Sequence, residues 1–241
     1  MRIAAVLVLV LLRVPDVLAD TGFLDRTVVV DGATYRFSVY VPPDFTAAKR
    51  WPVLVDLHGN GAQGSDGIRQ TAHFLADQIR LARSRFPLLA IFPQAARGET
   101  WQSMTMQSMV IAELEAVLGE FHGDPDRLYL GGFSMGADGT YAIAARWPGR
   151  FAAAYAIAGF VPLRVDELTA QLRQLPMRIF HGESDERVPV DRSRQLVTTL
   201  RKIGARVEYT EYPNTRHGPA AEKAYAEDNF VTWLLAHHRS Q

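Results

Sequence analysis

The chain has 241 residues, no cysteine, and 26 basic and 26 acidic residues, so its formal net charge is zero. The absence of cysteine excludes disulfides, thiol catalysis and cysteine-ligated metal sites. The balanced charge gives no indication of a nucleic acid partner. The length suits one α/β domain whose core is large enough to need no covalent cross-links.

The amino terminus has the pattern of a secretory signal peptide. Arg2 is followed by an apolar run from Ile3 to Leu12, and the small or apolar residues up to Ala19 suit cleavage after that residue. The run is shorter than the roughly 20 residues that a membrane span needs. We therefore expect residues 1–19 to be removed, export to the periplasm or the medium, no stable membrane anchor, and one catalytic domain over residues 20–241.

After this segment, predicted strands alternate with predicted helices. The segments Thr27–Val30 and Tyr35–Tyr40 flank Asp31-Gly32 and predict a hairpin of edge strands. The further predicted strands are Val53–Leu57, Leu88–Phe92, Leu128–Leu130, Ala153–Ile157, Met177–Phe180 and Val207–Tyr209. The predicted helices lie at about Gly67–Arg83, Gln107–Phe121, Met135–Arg146, Asp191–Ile203 and Ala220–His237. This alternation indicates an α/β fold with a mainly parallel sheet covered on both faces.

The connection between two of these strands bears on access to the site. Only Gly159–Pro176 joins the predicted strands Ala153–Ile157 and Met177–Phe180. A cap over the carboxyl edge of the sheet would be inserted at this point of the chain. The short connection therefore predicts little or no cap domain.

A nucleophile motif follows the predicted strand Leu128–Leu130. The pentapeptide Gly132-Phe133-Ser134-Met135-Gly136 lies between this strand and an alanine-rich predicted helix. A serine at such a turn takes a strained backbone conformation that points its Oγ into the site, and the flanking glycines leave room for the turn. The pattern indicates Ser134 as a nucleophile, and an ordinary glycine-rich loop is the alternative.

A catalytic serine needs a base that takes its proton and a carboxylate that orients the base. His217 follows the last predicted strand in a turn-rich loop, and Asp185 follows the predicted strand Met177–Phe180. The order serine, acid, histidine along the chain is the one that nucleophile-elbow enzymes use. Asp185 is favoured as the acid, with Glu183 and Glu186 as alternatives.

The tetrahedral intermediate of acyl transfer needs N–H donors aimed at its oxyanion. The loop His58-Gly59-Asn60-Gly61 follows a predicted strand and can supply one of them. We expect the backbone N–H groups of Asn60 and Met135 to form the oxyanion hole, with Gly59 as the alternative to Asn60.

Two further residues are candidates for lining the site. His58 is expected to shape its loop or to line the substrate pocket. Trp101 is expected either to form an aromatic wall for the acyl group or to pack in the core. No HExxH or comparable ligand spacing is present, so we expect neither a metal nor a cofactor.

The chain resembles the α/β-hydrolase superfamily. Within it, the chain is most similar to compact secreted esterases grouped with feruloyl esterases, polyhydroxybutyrate depolymerase-like proteins and prolyl-oligopeptidase-like peptidases. The resemblance implies that Ser134 is the nucleophile, His217 the general base and then acid, and Asp185 the orienting carboxylate. Its motifs here are Leu57-His58-Gly59-Asn60-Gly61, Asp124-Pro125-Asp126-Arg127-Leu128-Tyr129-Leu130, Gly132-Phe133-Ser134-Met135-Gly136, His181-Gly182 with Asp185 and Val188-Pro189, and Tyr212-Pro213 with His217.

These features favour a secreted serine esterase that acts on bulky or polymer-attached esters. A serine peptidase of the prolyl-oligopeptidase-like type shares every motif and is the second hypothesis. A secreted binding protein on the same scaffold is the third, and the complete set of Ser134, Asp185 and His217 argues against it. The sequence leaves the acyl group, the alcohol group and the oligomeric state open.

Overall fold

The computed structural model describes residues 20–160 and 172–239. In this part of the chain, eight strands form one sheet in the spatial order β1-β2-β4-β3-β5-β6-β7-β8. The strands are β1 Gly22–Val30, β2 Ala33–Val41, β3 Trp51–Leu57, β4 Leu89–Pro93, β5 Gly123–Phe133, β6 Ala153–Ile157, β7 Met177–Gly182 and β8 Val207–Tyr212.

The sheet is mainly parallel, as the sequence predicts. The pairs β1–β2 and β2–β4 are antiparallel, and the pairs from β4 through β3, β5, β6 and β7 to β8 are parallel. The predicted hairpin is present, with Asp31 and Gly32 at φ values of 50° and 79° in the turn. β1 is an edge strand, whereas β2 lies between β1 and β4, so the prediction of two edge strands is wrong for β2.

Helices cover both faces of the sheet. The described helices are α1 Leu75–Leu81, α2 Met104–Glu120, α3 Met135–Arg146, α4 Asp191–Lys202, α5 His217–Ala226 and α6 Phe230–Leu235. Apolar residues of α2, α3 and α4 form one buried cluster with the sheet, and those of α1, α5 and α6 form a second cluster on the opposite face. α4 illustrates why one side of a helix packs on the sheet. Its buried positions follow the helical spacing, so they share one side, and they are Ser193, Leu196, Val197 and Leu200.

The helix predicted over Gly67–Arg83 is shorter than expected. Only Leu75–Leu81 is α-helical, and Arg69–Thr71 is a short 3-10 helix. Gly67 has φ +73° and donates its backbone N–H to Oε1 of Gln94 at 2.8 Å. This bond to the residue after β4 holds the start of the predicted helix in a non-helical path. Only the last part of the prediction, Leu75–Leu81, is therefore α-helical.

The helix predicted over Ala220–His237 is two helices. α5 ends at Ala226 and α6 begins at Phe230. The carboxylate of Glu227 in the break accepts the hydroxyl of Tyr212 at 2.7 Å and the guanidinium of Arg178 at 2.8 Å. These contacts with two strands fix the chain between the helices, and such long-range contacts leave no periodic signal in the local sequence.

Two predictions fall outside the described residues. The signal peptide over residues 1–19 is one of them, and the central part of the Gly159–Pro176 connection, residues 161–171, is the other. Among the helices that the structure describes, none is long and apolar enough to cross a membrane.

Candidate active site

Ser134 lies at the turn between β5 and α3. Its backbone has φ 56° and ψ −119°, a conformation that non-glycine residues rarely adopt. A Cβ added to Gly136 would overlap the carbonyl oxygen of Leu57, and one added to Gly132 would lie 2.7 Å from the carbonyl carbon of Gly136. Both glycines are therefore needed for the sharp turn that presents the Ser134 hydroxyl beyond the carboxyl end of the sheet.

His217 is the first residue of α5, where the sequence predicts a loop. Its Nε2 lies 2.9 Å from Oγ of Ser134, and its Nδ1 lies 2.7 Å from Oδ2 of Asp185. Because a carboxylate only accepts, Nδ1 carries the hydrogen that is donated to Asp185, and Nε2 accepts the serine hydroxyl. The structure thus brings Ser134, His217 and Asp185 into one hydrogen-bonded series.

Asp185 is the carboxylate that contacts the His217 ring. Glu183 instead accepts the backbone N–H of Asn214 at 2.9 Å, and Glu186 accepts the backbone N–H of His217 at 3.3 Å. The side chain of Asp185 is fully buried. Its Oδ1 accepts the backbone N–H groups of the two residues Arg187 and Val188, at 2.8 and 2.9 Å. These bonds fix the carboxylate with its other oxygen toward His217.

His181 adds a second imidazole behind Asp185. It is fully buried on β7, and its Nε2 lies 3.1 Å from Oδ2 of Asp185 and 2.9 Å from the carbonyl oxygen of Val188. Its Nδ1 lies 2.7 Å from Oγ of Ser193, which can donate to it. Burial lowers the pKa of His181, so the ring is neutral and Nε2 carries its hydrogen. The sequence indicates His181 as a loop-shaping or site-lining residue, and its spacing of four residues from Asp185 is the local signal for this contact.

The loop after β3 lies against the serine turn. A Cβ added to Gly59 would be 3.5 Å from Cβ of Ser134, which shows how closely the loop approaches that residue. Asn60 begins a short 3-10 helix, and Met135 begins α3. Among the described residues, neither backbone N–H group has a hydrogen-bond partner. Both groups are therefore available to an oxyanion beside Ser134.

His58 shapes this loop. Its Nε2 accepts the backbone N–H of Ala95 at 3.0 Å, and its Nδ1 lies 2.7 Å from the carbonyl oxygen of Gly59. Burial lowers the pKa of His58 to about 4, so the ring stays neutral at physiological pH. The residue also lies on the wall of the cavity next to Ser134. His58 therefore shapes its loop and also lines the cavity beside Ser134.

Trp101 does not form a wall of the site. Its side chain is fully buried, and its Nε1 donates to the carbonyl oxygen of His58 at 2.9 Å. A Cβ at Gly139 would overlap Trp101, so the ring packs against α3. The expectation of a substrate contact is wrong in this structure, and the alternative of a packing tryptophan describes the residue.

A cavity of about 490 Å³ opens beside the serine turn. Its wall includes Ser134 and His217, together with the loop after β3 and side chains that the sequence did not single out. Those additional side chains are Asp56, Arg69, Gln70, His73, Phe74, Phe133, Arg187 and Tyr225. Within the described residues, no group of three or more histidine and acidic side chains could hold a metal ion.

Comparison with known proteins identifies related families and folds. The model of the Dienelactone hydrolase family matches residues 92–232. A crystal structure of a thermostable esterase aligns with a TM-score of 0.80 and 27% sequence identity, over 90% of this chain and 63% of that chain. A feruloyl esterase module from Clostridium thermocellum, complexed with sinapinate, aligns with a TM-score of 0.71 and 14% identity over 87% of this chain and 86% of that one. At this identity the second alignment shows the fold alone.

Among curated proteins, an uncharacterized secreted protein of Arthroderma benhamiae is 26% identical over 239 residues. The alignment covers 85% of this chain and 25% of that protein. The chain thus spans a quarter of this relative and less than two thirds of the thermostable esterase.

Proposed function

This chain belongs to the dienelactone hydrolase family, and we propose that it is a secreted serine hydrolase that cleaves carboxylic esters through an acyl-enzyme. The observation that carries the proposal is the hydrogen-bonded series from Asp185 through His217 to Ser134. This arrangement supplies a nucleophile, a base with a fixed tautomer, and a carboxylate that stabilises the base once it is protonated.

In the proposed reaction, Oγ of Ser134 attacks the ester carbonyl while Nε2 of His217 takes its proton. The imidazolium is stabilised by Asp185, and it then protonates the departing alcohol. Water next attacks the acyl-enzyme, with His217 again acting as base, and releases the acid and Ser134. The N–H groups of Asn60 and Met135 donate to the oxyanion in both tetrahedral intermediates.

The cavity beside Ser134 supports an ester with a bulky acyl or alcohol group. Phe74 and Phe133 supply aromatic surface in the same cavity as Ser134 and His217. A volume near 490 Å³ lies within the range of sites for small molecules, about 300 to 1,000 Å³. If the first nineteen residues direct export, esters attached to an extracellular polymer are suitable substrates.

Covalent labelling tests the serine mechanism. A fluorophosphonate probe is expected to label the wild-type protein at Ser134 and to leave the Ser134→Ala variant unlabelled. Ser84 is exposed in a short 3-10 helix, so the Ser84→Ala variant is the matched control and should label like the wild type. Absence of labelling in the wild type would refute the proposal and would favour a binding protein on this scaffold.

Substrate turnover separates an esterase from a peptidase. A panel of short-chain nitrophenyl esters, hydroxycinnamate esters, acetylated xylan, polyhydroxybutyrate and a prolyl peptide should show cleavage of esters and none of the peptide. Faster cleavage of the peptide than of every ester would assign the triad to peptide hydrolysis instead.

A further inference from the structure

A buried carboxyl group lies on the wall of the cavity that contains Ser134. Asp56 is the last residue but one of β3, within an otherwise apolar strand, and it is 8% exposed. Its Oδ1 accepts the hydroxyl of Tyr225 at 2.8 Å and also the hydroxyl of Tyr155. Among the described residues, its Oδ2 has no hydrogen-bond partner. Oδ2 is not among the fully buried unpaired atoms, and Asp56 lines the cavity, so a polar group bound there can reach this oxygen.

The sheet is built to hold this carboxyl group in place. Gly131 of β5 pairs with Asp56 on one side and with Tyr155 of β6 on the other. A Cβ at Gly131 would overlap the Tyr155 ring, so the missing side chain lets that ring cross β5 and reach Asp56. Tyr155 is itself fully buried and does not line the cavity. Tyr155 therefore binds Asp56 from outside the cavity, whereas Tyr225 on the cavity wall donates to the same oxygen.

Aromatic rings lead from the triad to this carboxyl group. Phe133 lies 4.6 Å from the His217 ring and 4.8 Å from the Phe74 ring, between centroids. The centroid of the Tyr225 ring lies 6.3 Å from that of Phe74, and the Tyr225 hydroxyl donates to Asp56. All of these residues line the same cavity. A substrate group that enters from Ser134 therefore passes apolar surface before it meets Asp56.

Gln70 is a second polar residue of this wall. It is 6% exposed, and both its Oε1 and its Nε2 are buried with no partner among the described residues. An amide offers one acceptor and two donors, and leaving them unpaired costs about 1–3 kcal/mol each. Because Gln70 also lines the cavity, a polar group bound there is the candidate partner of this amide.

We propose that Asp56 and Gln70 form a subsite that recognises a hydroxyl group, carried beyond an apolar segment of the ester that occupies this cavity. The proposal rests on the esterase function proposed above. A hydroxyl both donates and accepts, so it can donate to Oδ2 of Asp56 and accept the N–H of Gln70. The substrate class is therefore esters whose acyl or alcohol part ends in a hydroxyl.

An ammonium group fits the cavity less well than a hydroxyl. Two arginines, Arg69 and Arg187, line the same wall and oppose a cation. Burial also raises the pKa of Asp56 to about 6, which is the direction that disfavours the ionised carboxylate with which an ammonium would pair. A hydroxyl can bond to either form, since the protonated carboxyl donates and the ionised one accepts.

Matched esters with flexible chains test the subsite. Nitrophenyl esters of straight-chain acids ending in hydroxyl, methoxy, methyl or ammonium are compared over several chain lengths by kcat/KM. The assays are run at about pH 8, where a carboxyl group with a pKa of about 6 is ionised and only accepts hydrogen bonds. Under these conditions methoxy cannot bond to Asp56, because it also only accepts. The wild type is expected to prefer the hydroxyl ester to its methoxy counterpart by roughly 10- to 100-fold at the best chain length.

Variants locate this preference. In Asp56→Asn, the two tyrosines hold the amide oxygen, so the amide N–H faces the cavity and can donate to methoxy. The ratio of hydroxyl to methoxy turnover should fall about tenfold or more. In Gln70→Met the ratio of hydroxyl to methyl turnover should fall instead, because the Gln70 N–H donates to a hydroxyl and to a methoxy oxygen alike. Glu113→Gln is the matched control, because it makes the same acid-to-amide change at a fully buried position of α2 that does not line the cavity. Its ratio should equal that of the wild type.

Each ratio is taken within one variant, so it does not depend on how much of that variant folds. Equal turnover of the hydroxyl, methoxy and methyl esters, a preference for the ammonium ester, or an unchanged ratio in Asp56→Asn would overturn the subsite and leave the esterase function standing. Labelling of Ser134 by fluorophosphonate without turnover of any straight-chain ester would also overturn the subsite alone. Failure of both labelling and turnover would overturn the esterase function, and the subsite with it.

Discussion

Asp185 after β7 and Glu113 in α2 are both fully buried carboxyl groups, but their surroundings are opposite. Asp185 has two backbone N–H groups on one oxygen and the imidazoles of His217 and His181 near the other. Glu113 has no hydrogen-bond partner on either oxygen among the described residues, and burial raises its pKa well above the usual value. The difference shows that partners, rather than burial, distinguish an oriented carboxylate from a neutral acid.

The two regions also differ in what surrounds them. Asp185 lies at the carboxyl edge of the sheet, where loops bring backbone donors and side chains together. Glu113 lies on a helix side whose neighbours Val110, Leu114 and Val117 are apolar core residues. A carboxyl group among such residues stabilises nothing that we can identify in the structure. We therefore expect substitutions in the first region to affect turnover and substitutions in the second to affect stability.

The largest expected effect is at the end of the series that Asp185 orients. Ser134→Ala and His217→Ala should each lower kcat on the order of a million-fold, because each removes nucleophilic attack. The double variant should add little, since the two residues act as a unit. Steady-state kinetics on a nitrophenyl ester measures all three variants. Losses that multiply in the double variant would contradict a shared step.

Substitution of the acid itself should have the next largest effect. Asp185→Asn replaces an acceptor with an amide that can present N–H to His217, which favours the wrong tautomer of the ring. By comparison with other triads, kcat should fall about 10,000-fold. Glu183→Gln is the matched control, since Glu183 is exposed and its side chain accepts the backbone N–H of Asn214 rather than contacting the His217 ring. Similar losses in both variants would mean that the acid is misassigned.

A smaller effect is expected at His181. His181→Leu removes the imidazole whose Nε2 is hydrogen-bonded to the carbonyl of Val188 and lies 3.1 Å from Oδ2 of Asp185. Loss of a polar contact with a charged group should lower kcat roughly 10- to 100-fold. KM should change little, because His181 does not line the cavity. His181→Gln retains an N–H donor and should recover part of the loss. Equal kcat in the Leu and Gln variants would show that His181 contributes packing alone.

The smallest effect on turnover is expected at Glu113, where stability should change instead. The unfolded side chain loses its proton near pH 4.3, whereas the folded one keeps it to higher pH. The folded state thus binds more protons above about pH 4.3, so its stability falls as pH rises. Glu113→Met removes this slope and two unpaired oxygens, and should raise the free energy of unfolding by roughly 1–3 kcal/mol near pH 7.

Denaturant unfolding at about pH 4 and about pH 7 measures this change, and the gain should shrink at the lower pH. Ester turnover should match the wild type. A gain of the same size at both pH values would contradict a raised pKa at Glu113 and would indicate better packing as its cause.

The sequence is informative where the signal is local. The β-branched and apolar runs predict all eight strands, and the glycines around Ser134 predict the turn before α3. The sequence motifs single out Ser134, Asp185 and His217, and the structure brings these three residues into one hydrogen-bonded series. These features depend on residues near one another in the chain or on the order of strand ends.

Predictions fail where distant residues decide. Gly67 is held out of a helix by Gln94, and Glu227 separates α5 from α6 through Tyr212 and Arg178. Trp101 packs because its indole finds the carbonyl of His58. Asp56 did offer a local signal, as a carboxylate inside the apolar run Trp51–Leu57. Its partners, however, come from β6 and α5, which are far along the chain.

Gly131 affects the orientation of Asp56 on the cavity wall, although Gly131 itself does not line the cavity. The Tyr155 ring occupies the space where a side chain at this position would lie, and neither residue lines the cavity. A methyl group at position 131 would displace the ring and withdraw one of the two hydroxyls that hold Asp56. A substitution at position 131 can therefore change the polarity of the pocket from outside the pocket. A search for specificity variants that is restricted to pocket residues would overlook this position.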